Sequence, residues 1–166
     1  MIYSIDPSRE LRTLLNRFDA MNGVVQYEVI GFDEEPTTDY GLHQSAASLF
    51  MRLEKERFDE LEFDIQKATA VLIDANSFQQ VYEGAFTDPP YGLSEKNKDV
   101  VGALFSEINR HLFGGFHDEL EIYSWSSDWS SYFDAGNEWW GAFLWTVRNR
   151  QTARRQIIVI AASTTD

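Results

Sequence analysis

Apolar positions along this chain alternate between two spacings. Leu11, Leu14, Leu15, Phe18 and Met21 recur at the interval of one helix face, with Asp6-Pro7 before them as cap and first helical residue and Asn22-Gly23 after them as a stop. Val24 to Phe32 then alternates, with Val25, Tyr27 and Val29 on one side, and predicts a strand. Leu42, Ala46, Leu49, Phe50 and Leu53 predict a second helix, running out through Glu54 to Arg57. Phe78, Val81, Tyr82, Ala85 and Phe86 predict a short third one, ended before Asp88-Pro89-Pro90. Ser94 reads as the cap of a fourth, which carries Val100, Val101, Leu104, Phe105, Ile108 and Leu112 and closes at Gly114-Gly115. Between the second and third, Leu61, Phe63 and Ile65 alternate with Glu62 and Asp64, although Phe58, Leu61, Ile65, Ala68 and Leu72 also fit a helix. Strand is the reading taken for 60–66. It is also taken for 68–73, where β-branched residues gather before the turn-like Asp74 to Ser77.

The last third of the chain is the densest in large apolar residues. Leu120 to Trp125 predicts a strand. Alternation then sorts Trp139, Phe143, Trp145 and Val147 onto one side of the next strand, and Trp140, Ala142 and Leu144 onto the other. After the polar turn Arg148 to Gln151, Ile157 to Ile160 is apolar on both sides again. Strands of this kind must be covered on both faces, or covered on one and used for binding on the other. The expectation is an α+β fold in which residues 1–166 form a single domain. Its largely antiparallel sheet would have about five strands, ending in a three-stranded meander, and about four helices would cover it.

Composition narrows the function classes. The 166 residues carry a formal net charge of −13, and no cysteine is present, which removes disulfides and thiolate metal sites. Charge of this sign and size argues against nucleic acid and against anionic membrane surfaces, since both are held by lysine and arginine. The N-terminus lacks the basic start and apolar core of a signal peptide, and no apolar run approaches the roughly 18 residues of a spanning helix. A cytoplasmic location is the expectation. The charge is also segregated. Glu28 to Asp64 is strongly acidic, and Gly115 to Trp140 holds six acids and neither lysine nor arginine. Arg148, Arg150, Arg154 and Arg155 then form a basic turn.

Motifs for phosphate loops, dinucleotide folds, nucleophile elbows and zinc helices are absent. Glu107 and His111 share a helix face, with His117, Asp118 and Glu119 beyond the glycines. They could ligate a divalent ion, but the pattern suits an ordinary surface pair better, so no metal and no cofactor are expected. Carboxylates for glycoside chemistry could come from Asp128, Asp134 and Glu138, and a Ser-His-Asp arrangement is equally open. The most unusual segment is Trp125 to Trp140, where aromatics alternate with serines and carboxylates. Tryptophan and tyrosine anchor interfaces because they bury a large area and keep a polar tip. Trp125, Asp128, Trp129, Tyr132, Asp134 and Glu138 are therefore the candidate binding residues. In composition alone the chain resembles inhibitors and immunity proteins that block basic nucleases. That likeness implies a basic protein partner and assigns no residue roles. A small carboxylate- or metal-dependent hydrolase and a homo-oligomer subunit are the alternatives.

Overall fold

In the computed structural model, which describes residues 1–164, one six-stranded antiparallel sheet organises the chain. The strands are β1 (Ile2–Ile5), β2 (Gln26–Phe32), β3 (Ala70–Ile73), β4 (Leu120–Trp125), β5 (Gly141–Asn149) and β6 (Gln156–Thr164), in the order β1-β2-β6-β5-β4-β3. The helices are α1 (Arg9–Ala20), α2 (Asp39–Arg57), α3 (Ala75–Thr87), α4 (Lys98–Phe113) and the five-residue α5 (Asp134–Glu138). The expected meander is present: β4 pairs with β5 and β5 with β6, setting Trp145 opposite Ile160 and Val147 opposite Ile158.

Helices cover both faces of the sheet. On the first face, α1, α3 and α4 bring Phe18, Phe78, Tyr82, Phe86, Phe105 and Ile108 against Ile122, Trp145, Val147, Ile158 and Ile160. Tyr82 is fully buried there, with its hydroxyl donating to Asn109 Oδ1 at 2.6 Å and accepting from Tyr27 at 2.5 Å. On the second face, α2 brings Leu42, Ala46, Ala47, Phe50 and Met51 against Ile30, Leu144, Ile157, Val159 and Ala161. One helix cannot cover that face alone. The segment after β4 folds back to complete it, with Trp125, Trp129 and Phe133 pointing inward.

Several boundaries differ from the sequence reading, each for a local reason. Ser8, not Asp6, caps α1, its hydroxyl accepting from Leu11 N–H at 3.2 Å. Asn97, not Ser94, caps α4, its side-chain oxygen accepting from Asp99 N–H at 3.0 Å and Val100 N–H at 3.4 Å. Residues 60–66 form no strand: a single antiparallel bridge joins Phe63 to Ser130, and Ile65–Lys67 turns as a 3-10 helix capped by Asp64. β1 and α5 had no sequence signal, each being too short to show a period. Trp139 precedes β5 instead of alternating within it and is 76% exposed. Trp140 packs edge-on to Phe143 on the first face, not on the side of Ala142 and Leu144.

Trp139 and Trp145 should separate in stability. Trp145→Ala empties a core site and is expected to cost about 3–5 kcal/mol, while Trp139→Ala stays within about 0.5 kcal/mol. Urea titration of both variants checks this, and equal losses would contradict the burial described.

Candidate functional site

The site begins with a short pairing outside the main sheet. Asp64 N–H donates to the Trp129 carbonyl at 2.9 Å, Ser131 N–H to the Glu62 carbonyl at 2.9 Å, and Glu62 N–H to Ser131 Oγ at 3.0 Å. Residues 62–64 are thereby stitched alongside 129–131. With Leu61 and Trp129 buried, Glu62, Asp64 and Asp128 beside them turn outward. Glu62, Asp64, Asp128 and Asp134 line one shallow depression of about 480 Å³, together with Lys67 and Asn137. A second depression of about 540 Å³ shares Ser131 with it and is lined by Glu54, Phe58, Glu60, Tyr132 and Ser163.

The carboxylates here differ in how much of their charge is already committed. Glu62 lies 3.6 Å from Lys55, and Asp64 Oδ1 accepts from Gln66 N–H. Asp128, Asp134, Glu138 and Glu60 have no side-chain partner among the described residues. α5 carries Asp134 and Glu138, with exposed Trp139 at its end. The helix sits close because Gly136 has no side chain: a Cβ there would lie 2.0 Å from the Gly141 carbonyl oxygen, and its N–H donates to Ser163 Oγ at 3.0 Å.

Of the six residues nominated from sequence, the structure draws Asp128, Asp134 and Tyr132 to these depressions and leaves Glu138 exposed beside them. Trp125 and Trp129 are corrected. They are only 6% and 3% exposed, with indole N–H groups donating inward, to Thr146 Oγ1 and the Ser126 carbonyl. Neither has a ring face to offer a partner. In the segments around these depressions the exposed aromatics are Phe58 and Trp139 instead, while Tyr3 and Tyr91 are exposed elsewhere. Glu60, Glu62 and Asp64 were missed, although their alternation with Leu61, Phe63 and Ile65 was visible.

Other chemistry is constrained by what the remaining side chains do. Glu107 pairs with Arg110 at 2.8 Å, which pulls its carboxyl below the ordinary range. Among the described residues no three histidines or acids gather closely enough to hold a metal ion. A Thr–His–Glu array does exist: His43 Nδ1 lies 2.7 Å from Thr146 Oγ1, and Nε2 lies 2.8 Å from Glu121 Oε1. Glu121 accepts, so Nε2 carries the hydrogen, and in the neutral ring the Thr146 hydroxyl donates to Nδ1. Thr146 and His43 are both 0% exposed, and the Thr146 oxygen also accepts from Trp125. A nucleophile sealed in this way reaches no substrate, and the array serves to tie α2 to β4 and β5.

The basic turn is largely neutralised within the molecule. Arg148 is buried over the Phe32 ring and reaches Glu35 at 3.1 Å, and Arg150 reaches Asp39 at 3.2 Å. The uncompensated acids therefore lie elsewhere. No described helix is long and apolar enough to cross a membrane.

These features define an α+β protein with a six-stranded antiparallel sheet between helical layers. No protein-family model matches the chain, and no curated protein does. Solved structures similar to it include two crystal structures of citrus MAF1. In space group P 31 2 1 the likeness has a TM-score of 0.50 at 14% identity, covering 92% of this chain and 99% of that one. In C 2 2 21 the values are 0.47 and 18%, covering 89% and 96%. At these identities the likeness is one of fold.

Glu54, beneath the second depression, gives a test by pH. Burial pushes its carboxyl above the ordinary range, with Glu28 adding to the rise while Arg57 and the Gln26 amide oppose it. A carboxyl raised on folding imposes no penalty below its unfolded pKa and its full penalty above the folded one. Glu54→Gln should therefore raise stability at pH 7 and change it little near about pH 4. Denaturant titrations at the two pH values check the sign. An equal change at both would contradict the burial of this carboxylate.

Proposed function

We propose that this is a non-catalytic binding protein, of the inhibitor or immunity class, that engages a basic protein partner through its acidic and aromatic surface. The observation that carries the reading is the pair of unpartnered carboxylates, Asp128 and Asp134, in one shallow depression with Glu62 and Asp64, next to an exposed tryptophan. These carboxylates are too dispersed for a metal ion but suit several lysine or arginine side chains presented together. Acids on the rim steer the encounter and set its rate, while an aromatic side chain that becomes buried sets how slowly the complex parts. Trp139 and Phe58 take the anchoring role first assigned to Trp125 and Trp129. Shallowness supports binding over catalysis, since an active site needs a concave pocket that excludes water.

The test is capture from native cell extract at low salt. A basic protein should be retained, and Asp128→Asn with Asp134→Asn should slow its association about tenfold or more without moving the melting temperature. Trp139→Ala should chiefly shorten the lifetime of the complex. Capture indifferent to all three changes would end the proposal.

A homo-oligomer is the second reading, favoured by one feature. β3 is an edge strand with no charge or proline, and its Val71 and Leu72 are 63% and 64% exposed. Native edges of this kind are usually blunted or paired. Light scattering decides between the readings: Val71→Lys should dissociate an oligomer built on this edge and leave partner capture unchanged.

A further inference from the structure

The second depression, of about 540 Å³, holds a carboxylate that is neither exposed nor fully paired. Glu54 of α2 has a side chain only 7% exposed, yet it lines this depression with Gln26, Phe58, Tyr132 and Ser163. Its two oxygens differ. Oε1 accepts a long hydrogen bond from Gln26 Nε2 at 3.4 Å and lies 3.7 Å from Arg57. Oε2 has no hydrogen-bond partner among the described residues. Among the described residues that are not exposed, Arg148 Nη1 is the one side-chain polar atom both sealed from solvent and unpartnered. Glu54 Oε2 therefore reaches water, and the depression gives it that access.

Arg57 does not complete the site. Its side chain is 68% exposed, it does not line the depression, and 3.7 Å is too long for a hydrogen bond. An arginine so exposed adds little and is screened by salt. With Arg57 in place, burial still holds the Glu54 carboxyl above its ordinary range. A desolvated carboxylate without full compensation destabilises the fold, and a cation arriving from the open side offsets that.

The walls suit one kind of cation. The Gln26 amide joins them, its Nε2 donating to Glu54 and its Oε1 accepting from the Tyr132 hydroxyl. The carboxylate and the phenol oxygen thus stand at the two ends of one amide group. Tyr132 Oη keeps lone pairs, and Ser163 Oγ keeps one after accepting from Gly136 N–H. With Glu54 Oε2 they offer three acceptors, the number of hydrogens on an ammonium group. A guanidinium fork is matched less well, because it pairs best with both oxygens of a carboxylate and Oε1 is already engaged. Phe58 is 53% exposed and presents its ring to a methylene stem at the mouth.

We propose that this depression receives the ammonium group of a lysine side chain, held by Glu54, with the methylene stem against Phe58. The inference deepens the binding reading and rests on it for the source of the lysine, a basic protein partner. Asp128 and Asp134 then guide the encounter, while Glu54 takes one particular side chain.

The test is an NMR titration of the isotope-labelled full chain with Nα-acetyl-lysine methylamide, and with its Nε-acetylated form as the neutral counterpart. The lysine compound should give saturable shifts at the amides of Phe58, Tyr132 and Ser163. The neutral form should bind about tenfold more weakly or worse. Glu54→Gln keeps the shape and removes the charge, and it should weaken the lysine compound about tenfold or more. Its amide spectrum should otherwise match the wild type, which separates loss of the site from loss of the fold. Asp128→Asn with Asp134→Asn should change this binding by less than about twofold at physiological salt, since those acids line the other depression. Saturable binding without capture of any partner supports the pocket and overturns the partner reading. Capture of a partner with no response to the lysine compound does the reverse. The proposal is also overturned by an equal response to the neutral form, or by lysine binding unchanged in Glu54→Gln.

Discussion

The constraint on which the rest of this structure depends is that β5 and β6 are apolar on both sides. Ile157 to Ala162 is buried without interruption, so every second side chain needs cover from a different layer. Three helices meet that need on the first face. On the second face α2 stands almost alone, and it is held in register by one buried hydrogen-bonded chain. Trp125 N–H donates to Thr146, Thr146 lies against His43, and His43 lies against Glu121. Each donor in that chain meets an acceptor, the condition under which a buried polar network adds rigidity instead of a penalty. Removing one member would leave its neighbours buried and unpaired.

The acidic surface is a by-product of the same requirement. The second face is completed by Trp125, Trp129 and Phe133, spaced four apart, and Asp128 and Ser131 between them are left outward. Asp128 and Asp134 are exposed beside the buried Trp129 and Phe133. The pairing of 62–64 with 129–131 then adds Glu62 and Asp64, from a distant part of the chain, to the same depression. At the other end of β5 and β6, Arg148 and Arg150 of the hairpin pair with Glu35 and Asp39 and Arg155 reaches the Asp33 carbonyl, while the Arg154 guanidinium has no partner among the described residues. Charge is thus segregated along the central strands, and the buried sheet is what holds the two regions apart.

Much of the fold was legible because long periodic stretches leave a clear trace. The four longer helices, β2 and the meander of β4, β5 and β6 all follow from spacing and turn residues. Short elements leave no such trace: β1 and α5 hold too few residues to show a period. The site was half legible. Its carboxylates Asp128 and Asp134 stood out in an acidic, aromatic segment. The burial of Trp125 and Trp129 did not, because serines beside them suggested an open loop. The interval Trp125, Trp129, Phe133 was the available signal for an inward stripe, and it was masked by the absence of a helix. Trp139 was misplaced for the opposite reason. Alternation was extended past Gly141, which opens β5 with a φ of 156° at a place where a Cβ would lie 2.7 Å from the Phe143 ring.

The central claim is that the acidic charge is directional, gathered on a surface shaped to receive cations. An NMR titration with an oligolysine peptide tests this without knowledge of a partner. The account predicts that amide shifts concentrate at residues 58–64 and 127–139, grow as salt is lowered, and are lost there when Asp128 and Asp134 are changed to asparagine. Shifts spread evenly over other exposed acids, such as Glu10 and Asp19 on α1 and Asp99 on α4, would contradict it.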